Sequence, residues 1–324
     1  MDLKQLLTLA ALALLGVAAT LLLASPRAAP PEADPLALPF PSKYVTVDGA
    51  RMHYVEAGAG DPILFLHGQP TSAYLWRNVL PHAAQAGRAI ALDLVGFGRS
   101  DKPDIDYRFF DHARYLAGFI EALDLRNLTL VVHDWGSALG FDYARRHPER
   151  IRAIAMMEAM LLPIPGYDAL PEEVRQMMQA FRDPDTGWDL IVEQNMFIEK
   201  LLPSMVMRPL TPAEMDAYRA PFAQAAWRKP VWRWPNELPI GGEPADVHAM
   251  QLAYLDWLQR TEVPLLLLLH VTPGALGTAE VVAWAREHLS NLTTVHLGPG
   301  LHFVQEDHPD AIGRALVDWL RGLR

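Results

Sequence analysis

At 324 residues the chain suits one large α/β domain with an insertion or two ordinary domains, and 51% hydrophobic residues supply a full core. A net charge of −10 with no basic stripe to neutralise phosphates argues against nucleic acid as a partner. The absence of cysteine rules out a disulfide framework and a thiolate site, and no histidine pair has metal-ligand spacing within a plausible site.

The amino terminus differs in kind from the rest. After Lys4, the 19 residues from Leu6 to Ala24 carry no charge, which is long for a signal-peptide apolar region and close to the ~20 residues that span a bilayer. Residues 1–24 therefore read as a hydrophobic signal or anchor segment: an uncleaved anchor, a cleaved signal peptide, or a buried core helix. The core helix fits least, because the linker that follows would isolate it. Leu22-Leu23-Ala24-Ser25 only loosely matches a small-x-small cleavage site. Residues 25–41, with prolines at 26, 30, 31, 35, 39 and 41, should form a stiff, extended tether. With Lys4 and the α-amino group retained inside, the folded domain lies outside the cytoplasm, periplasmic or anchored to the membrane.

From Tyr44 onward, short β-branched runs alternate with helical stretches, the signature of a mostly parallel sheet covered on both faces. Strands are predicted at Tyr44–Val47, Met52–Glu56, Ile63–Leu66, Ala89–Leu92, Thr129–His133, Ala153–Met157, Leu265–His270 and Thr293–Leu297. The Asp48-Gly49 pair is a hairpin signal, so the sheet should begin antiparallel. Between about Leu162 and Trp234 the strand rhythm disappears. Helical patterns at Pro171–Phe181 and Trp188–Lys200, broken by Pro203, Pro209, Pro212, Pro221 and Pro230, predict a helical cap inserted after the sixth strand. The core is thus read as 42–161 and 235–324, with the cap at 162–234.

The most informative segment is Leu130-Val131-Val132-His133-Asp134-Trp135-Gly136-Ser137-Ala138-Leu139-Gly140. An apolar strand stops at an acid and continues as a small-residue helix, the pattern of a nucleophile elbow that thrusts its apex residue above the sheet. A serine at the apex would attack an ester carbonyl. The apex here is Asp134, already ionised at neutral pH and suited to displacement at saturated carbon. An aspartate that becomes esterified needs a base for water, an orienter for that base, an oxyanion hole and a stabiliser for the departing group.

His302 supplies the base, in a glycine-bracketed loop after the last strand, and nucleophile first with histidine last is the chain order of this fold. His67 and His133 also end strands and are expected to hold loop backbone. The loop after strand seven, Val271 to Ala279, has no acid, whereas Glu158 follows strand six alone amid apolar residues, a costly placement unless it is partnered. Glu158 is therefore the orienter. The oxyanion donors are the backbone N–H groups of Gln69 and Trp135. Their side chains, a carboxamide and an indole, can also donate to an anion without bringing positive charge, which suits a leaving halide.

At this point the chain resembles the haloalkane dehalogenases of the α/β-hydrolase superfamily, from roughly Pro39 to its end. The resemblance is carried by His67-Gly68-Gln69-Pro70-Thr71-Ser72, Tyr74-Leu75-Trp76-Arg77, the run Asp93 to Pro103, the Asp134 elbow, Arg233-Trp234-Pro235-Asn236-Glu237-Leu238-Pro239 and the His302 loop. Glu158 after strand six looks like the subfamily that takes its acid there. The resemblance implies an eight-stranded, mostly parallel sheet with a helical cap, and a cofactor-free hydrolysis of a halogenated aliphatic substrate to alcohol and halide through an ester on Asp134. It also implies an apolar pocket of Met178, Phe197, Leu201, Met205, Leu238, Leu276 and Phe303. The size of Leu201 and Met205 suggests a narrow tunnel favouring slim terminal haloalkanes. The chain departs from the pattern in Gln69, where the subfamily more usually has asparagine, in Val132, where the general elbow has glycine, and in its hydrophobic leader.

Three other functions remain open on sequence. An epoxide hydrolase uses a similar elbow but needs acidic phenols from the cap, where Tyr167 and Tyr218 are the candidates. A coelenterazine-type luciferase shares the scaffold. A tethered ligand-binding protein without turnover would have no need of the full set of nucleophile, base, orienter and donors.

Overall fold

The computed structural model describes residues 34–261, 263 and 266–323. The leader Leu6–Ala24 and the start of the tether lie outside them. Among the described residues no helix is long and apolar enough to cross a membrane. The chain divides into two compact units, Met1–Ala37 and Leu38–Arg324. Of the first, only a turn is described, in which the Ala37 N–H donates to the Asp34 carbonyl at 3.0 Å. Leu38 and Phe40, within the expected tether, pack against the apolar core of the second unit.

Eight strands form one sheet: β1 (Ser42–Val47), β2 (Ala50–Ala57), β3 (Pro62–Leu66), β4 (Arg88–Leu92), β5 (Leu128–Asp134), β6 (Ile151–Ala159), β7 (Leu266–Pro273) and β8 (Leu292–Gly300), in the order β1-β2-β4-β3-β5-β6-β7-β8. The first two pair antiparallel through Asp48 (φ 47°) and Gly49 (φ 80°), two left-handed residues of the kind a tight hairpin requires. From β3 to β8 the neighbouring pairs are parallel. The interior strands read as continuous apolar runs because helices cover both faces; Leu64, Phe65, Leu66, Leu130, Val131 and Val132 are fully buried. The chain leaves β3 for β4 on one side and returns to β5 on the other, and this reversal opens a crevice at the strands' carboxyl ends.

The main helices are α1 (Phe109–Ala122), α2 (Trp135–Arg146), α3 (Glu172–Arg182), α4 (Pro212–Arg219), α5 (Lys229–Glu237), α6 (Ala245–Arg260), α7 (Ala279–His288) and α8 (Pro309–Gly322). The cap comprises α3 to α5 and short turns between them. The helical stretch expected at Trp188–Lys200 is not one helix but two π-type turns, Asp189–Glu193 and Phe197–Leu201. Asn195, at φ 55°, separates them in a left-handed conformation that asparagine tolerates. Pro212 and Pro230 start α4 and α5 rather than breaking helices, since a first-turn residue has no intrahelical use for an N–H. Helix α5 runs three residues past the expected cap boundary at 234, to Glu237.

Candidate active site

Asp134 ends β5 and immediately precedes α2, with φ 51° and ψ −130°. That strained conformation at a non-glycine residue is the elbow itself, and the surroundings must hold it. Gly136 lets the turn press against β3, because a Cβ there would meet the Leu66 carbonyl oxygen at 2.4 Å. The Ser137 hydroxyl donates to the Asp134 carbonyl at 2.5 Å and accepts the Met160 N–H at 2.9 Å, tying the elbow to the segment after β6. Sequence reasoning missed Ser137; nothing in a small-residue helix distinguishes it.

Oδ1 of Asp134 accepts the Gln69 backbone N–H at 2.7 Å, and the Trp135 backbone N–H also bonds the carboxylate. Oδ2 faces His302 Nε2 at 3.5 Å. Burial pushes Asp134 up, but hydrogen bonding and charge from His302, then His133 and the Trp135 N–H, outweigh it and hold the carboxyl below its ordinary value. The side chain is therefore held ionised, with one oxygen in a backbone cradle and the other facing His302. The Gln69 Nε2 is buried and has no hydrogen-bond partner among the described residues. Trp135 is buried and its indole stacks on Trp234 at 4.4 Å and 21°, which stacks in turn on His112 at 4.4 Å.

Glu158, next to last in β6, sits at φ 44° and is buried. The acid-free loop after β7 wraps it: the N–H groups of Ala275 (2.8 Å), Leu276 (2.7 Å) and Gly277 (3.1 Å) all donate to its carboxylate. His302 Nδ1 lies 3.2 Å from Oε2. Burial raises Glu158, yet His302 and these N–H groups hold it below the ordinary range. Burial lowers His302, and the two carboxylates reverse that, carrying it to about 9. His133, pushed to about 4 by burial and then by His302, donates from Nε2 to the His302 carbonyl at 2.9 Å. His67 donates from Nδ1 to the Gly68 carbonyl and accepts the Leu94 N–H. Both histidines hold backbone.

Of the expected pocket residues, Met178 and Phe303 are buried, and Phe197, Leu201, Met205, Leu238 and Leu276 are half-buried, all within one apolar cluster. Phe303 packs edge-on against His302 at 4.8 Å, and its N–H donates to the Met205 carbonyl. The Tyr218 hydroxyl is committed to Glu306, which removes it from the role an epoxide hydrolase would need. Among the described residues no cluster could hold a metal ion.

A profile of the family described as alpha/beta hydrolase fold matches residues 61–309. The chain is 46% identical to a haloalkane dehalogenase of Mesorhizobium japonicum, over 91% of this chain and 96% of the relative. It is 48% identical to a haloalkane dehalogenase of Sphingobium indicum, over 87% of this chain and 96% of the relative. A solved haloalkane dehalogenase from Bradyrhizobium elkani superposes with a TM-score of 0.85 at 41% identity, covering 88% of this chain and 98% of that one.

Proposed function

Since the chain belongs to the haloalkane dehalogenases, hydrolases of the α/β-hydrolase fold that act on carbon–halogen bonds, we propose that Asp134 is its nucleophile, His302 its base and Glu158 the orienter of that base. Asp134 Oδ2 attacks the halogen-bearing carbon in line, the carbon–halogen bond breaks, and halide leaves with the bonding pair toward the side-chain N–H groups of Trp135 and Gln69. The buried, partnerless Gln69 amide supports that assignment. Water then attacks the carboxyl carbon of the ester as His302 takes its proton. The oxyanion at Oδ1 rests on the Gln69 and Trp135 backbone N–H groups. Collapse breaks the bond between the carboxyl carbon and the alkyl-bearing oxygen, and the proton on His302 passes to the departing oxygen to give the alcohol. Asp134 is regenerated as the acid, whose proton is then released.

The observation that carries this reading is the pairing of Oδ1 with its backbone cradle while Oδ2 faces His302, itself backed by Glu158. The same geometry supports a change of role for His302. At rest it lies between two carboxylates and is raised to about 9, a poor base at neutral pH. Esterification removes the Asp134 charge and its hydrogen bond, so His302 falls toward its ordinary value as a base is needed. Single turnover in heavy-oxygen water tests the mechanism: the label should enter Asp134 and leave the first alcohol unlabelled, and label in that first alcohol would refute it.

Met178, Phe197, Leu201, Met205, Leu238, Leu276 and Phe303 form the proposed substrate pocket, with Leu201 and Met205 narrowing its entrance. Straight terminal bromoalkanes should then exceed branched ones in kcat/KM; equal turnover refutes the narrow tunnel. The uncharged Leu6–Ala24 run supports a membrane anchor or signal segment placing the enzyme outside the cytoplasm. Fractionation with protease protection of the full chain tests that placement.

A further inference from the structure

Directly after His302 the chain makes one helical turn, Val304–Asp307, and its acidic end is gripped from two directions. Glu306, 2% exposed, accepts from Arg77 through both oxygens, Nη1 to Oε1 at 2.6 Å and Nη2 to Oε2 at 2.8 Å. It also accepts from Arg208 Nη2 at 2.5 Å and from the Tyr218 hydroxyl. Glu214 closes the cluster by accepting from Arg77 at 2.8 Å and Arg208 at 2.7 Å. Asp307 accepts the backbone N–H groups of Met207 and Arg208, each at 3.0 Å, while the Phe303 N–H donates to Met205 at 3.1 Å. Arg77 belongs to the segment after β3; Arg208, Glu214 and Tyr218 belong to the cap.

None of these groups touches the reacting atoms, yet the bonds run through the turn that begins two residues after the base. The Glu306 N–H closes that turn onto the Phe303 carbonyl at 3.0 Å. We propose that Glu306 is a positioning residue that seats the His302 loop and the cap segment Met205–Arg208 as one unit, and so governs ester hydrolysis rather than halide expulsion. The bidentate pair with Arg77 is directional and fixes the turn's rotation, which neutral or single bonds do less well. Attack by Asp134 escapes this control because its carboxylate is held by the Gln69 and Trp135 N–H groups.

The inference rests on the roles proposed above for Asp134 and His302, so the test includes a variant that checks them separately. Rapid-quench halide measurement with 1-bromobutane and intact-protein mass spectrometry are applied to wild type, Glu306→Gln, Tyr218→Phe and His302→Ala. Glu306→Gln should keep a stoichiometric halide burst at close to the wild-type rate. Its steady-state turnover should fall about tenfold or more, with alkylated protein accumulating, as loss of base alignment dictates. Tyr218→Phe removes one donor and no charge, should fold if Glu306→Gln does not, and should accumulate less ester in the same sense. Burst and turnover falling together in either variant, or no ester in either while His302→Ala traps it, overturns the role of Glu306. No trapped ester in His302→Ala overturns the assignment of His302 instead.

Discussion

His302 concentrates the electrostatics of the site, and its titration has a consequence for stability. A histidine raised from 6.5 to about 9 in the fold contributes stability that is fully present below its ordinary value and is lost as pH rises through 9. That interval corresponds to ~3 kcal/mol. The Tm advantage of wild type over His302→Gln should therefore be largest below about pH 6.5 and shrink as pH rises from there through about 9; a constant difference across that range contradicts the two-carboxylate clamp. Gly68 offers a steric test of the seat of the proposed nucleophile. A Cβ at this position would lie 2.1 Å from Asp134 Oδ1 and 2.5 Å from its Cβ. Gly68→Ala should fold, by circular dichroism, and lose on the order of a hundredfold in kcat as the carboxylate leaves its backbone cradle.

Elements made of contiguous residues were legible in the sequence, and contacts between distant ones were not. The strands announced themselves because burial on both faces demands largely apolar runs rich in β-branched residues, such as Leu128–Val132. The elbow was legible because only a strand, an acid and a small-residue helix in that order build it. Asp134, Glu158, Gln69 and His302 converge because each stands at or just beyond the carboxyl end of a strand. The π-type turns around Asn195 were hidden because their apolar spacing also fits an ordinary helix. The Arg77–Glu306 pair, 229 positions apart, leaves no local trace. The same holds for Glu237 at the end of α5, whose buried carboxylate accepts the Phe109 N–H at 2.9 Å and Arg108 Nε at 3.0 Å, capping α1 from the cap side. Glu237→Ala strands that first-turn N–H and should cost about 2–3 kcal/mol in denaturant unfolding; a loss under ~0.5 kcal/mol, typical of a surface change, would mean that α1 needs no such cap.

The whole second unit behaves, on these grounds, as one cooperative body despite its inserted cap. A cap folding by itself would have its own apolar centre, yet Phe181, Ile191, Ile198, Leu202 and Trp234 belong to the same continuous cluster as the sheet residues Phe65, Leu130 and Val131. Carboxylates pin the insertion at both margins: Glu237 joins α5 to the start of α1, and Glu306 joins Arg208 and Tyr218 to Arg77. Partial opening of the cap would expose half of a shared core and leave Arg77 and Glu306 without their cap-side partners, so no intermediate gains enough chain entropy to offset the loss. Far-ultraviolet circular dichroism, dominated by the helices throughout the unit, and tryptophan fluorescence, to which the cap contributes Trp188, Trp227, Trp232 and Trp234 among nine tryptophans, should consequently give coincident melting curves in the wild type. Combining Glu237→Ala with Arg208→Gln cuts a tie at each margin and should move the fluorescence transition to lower temperature than the dichroism. Curves that already separate in the wild type would show that the cap opens independently, and the shared core would then not govern access to Asp134.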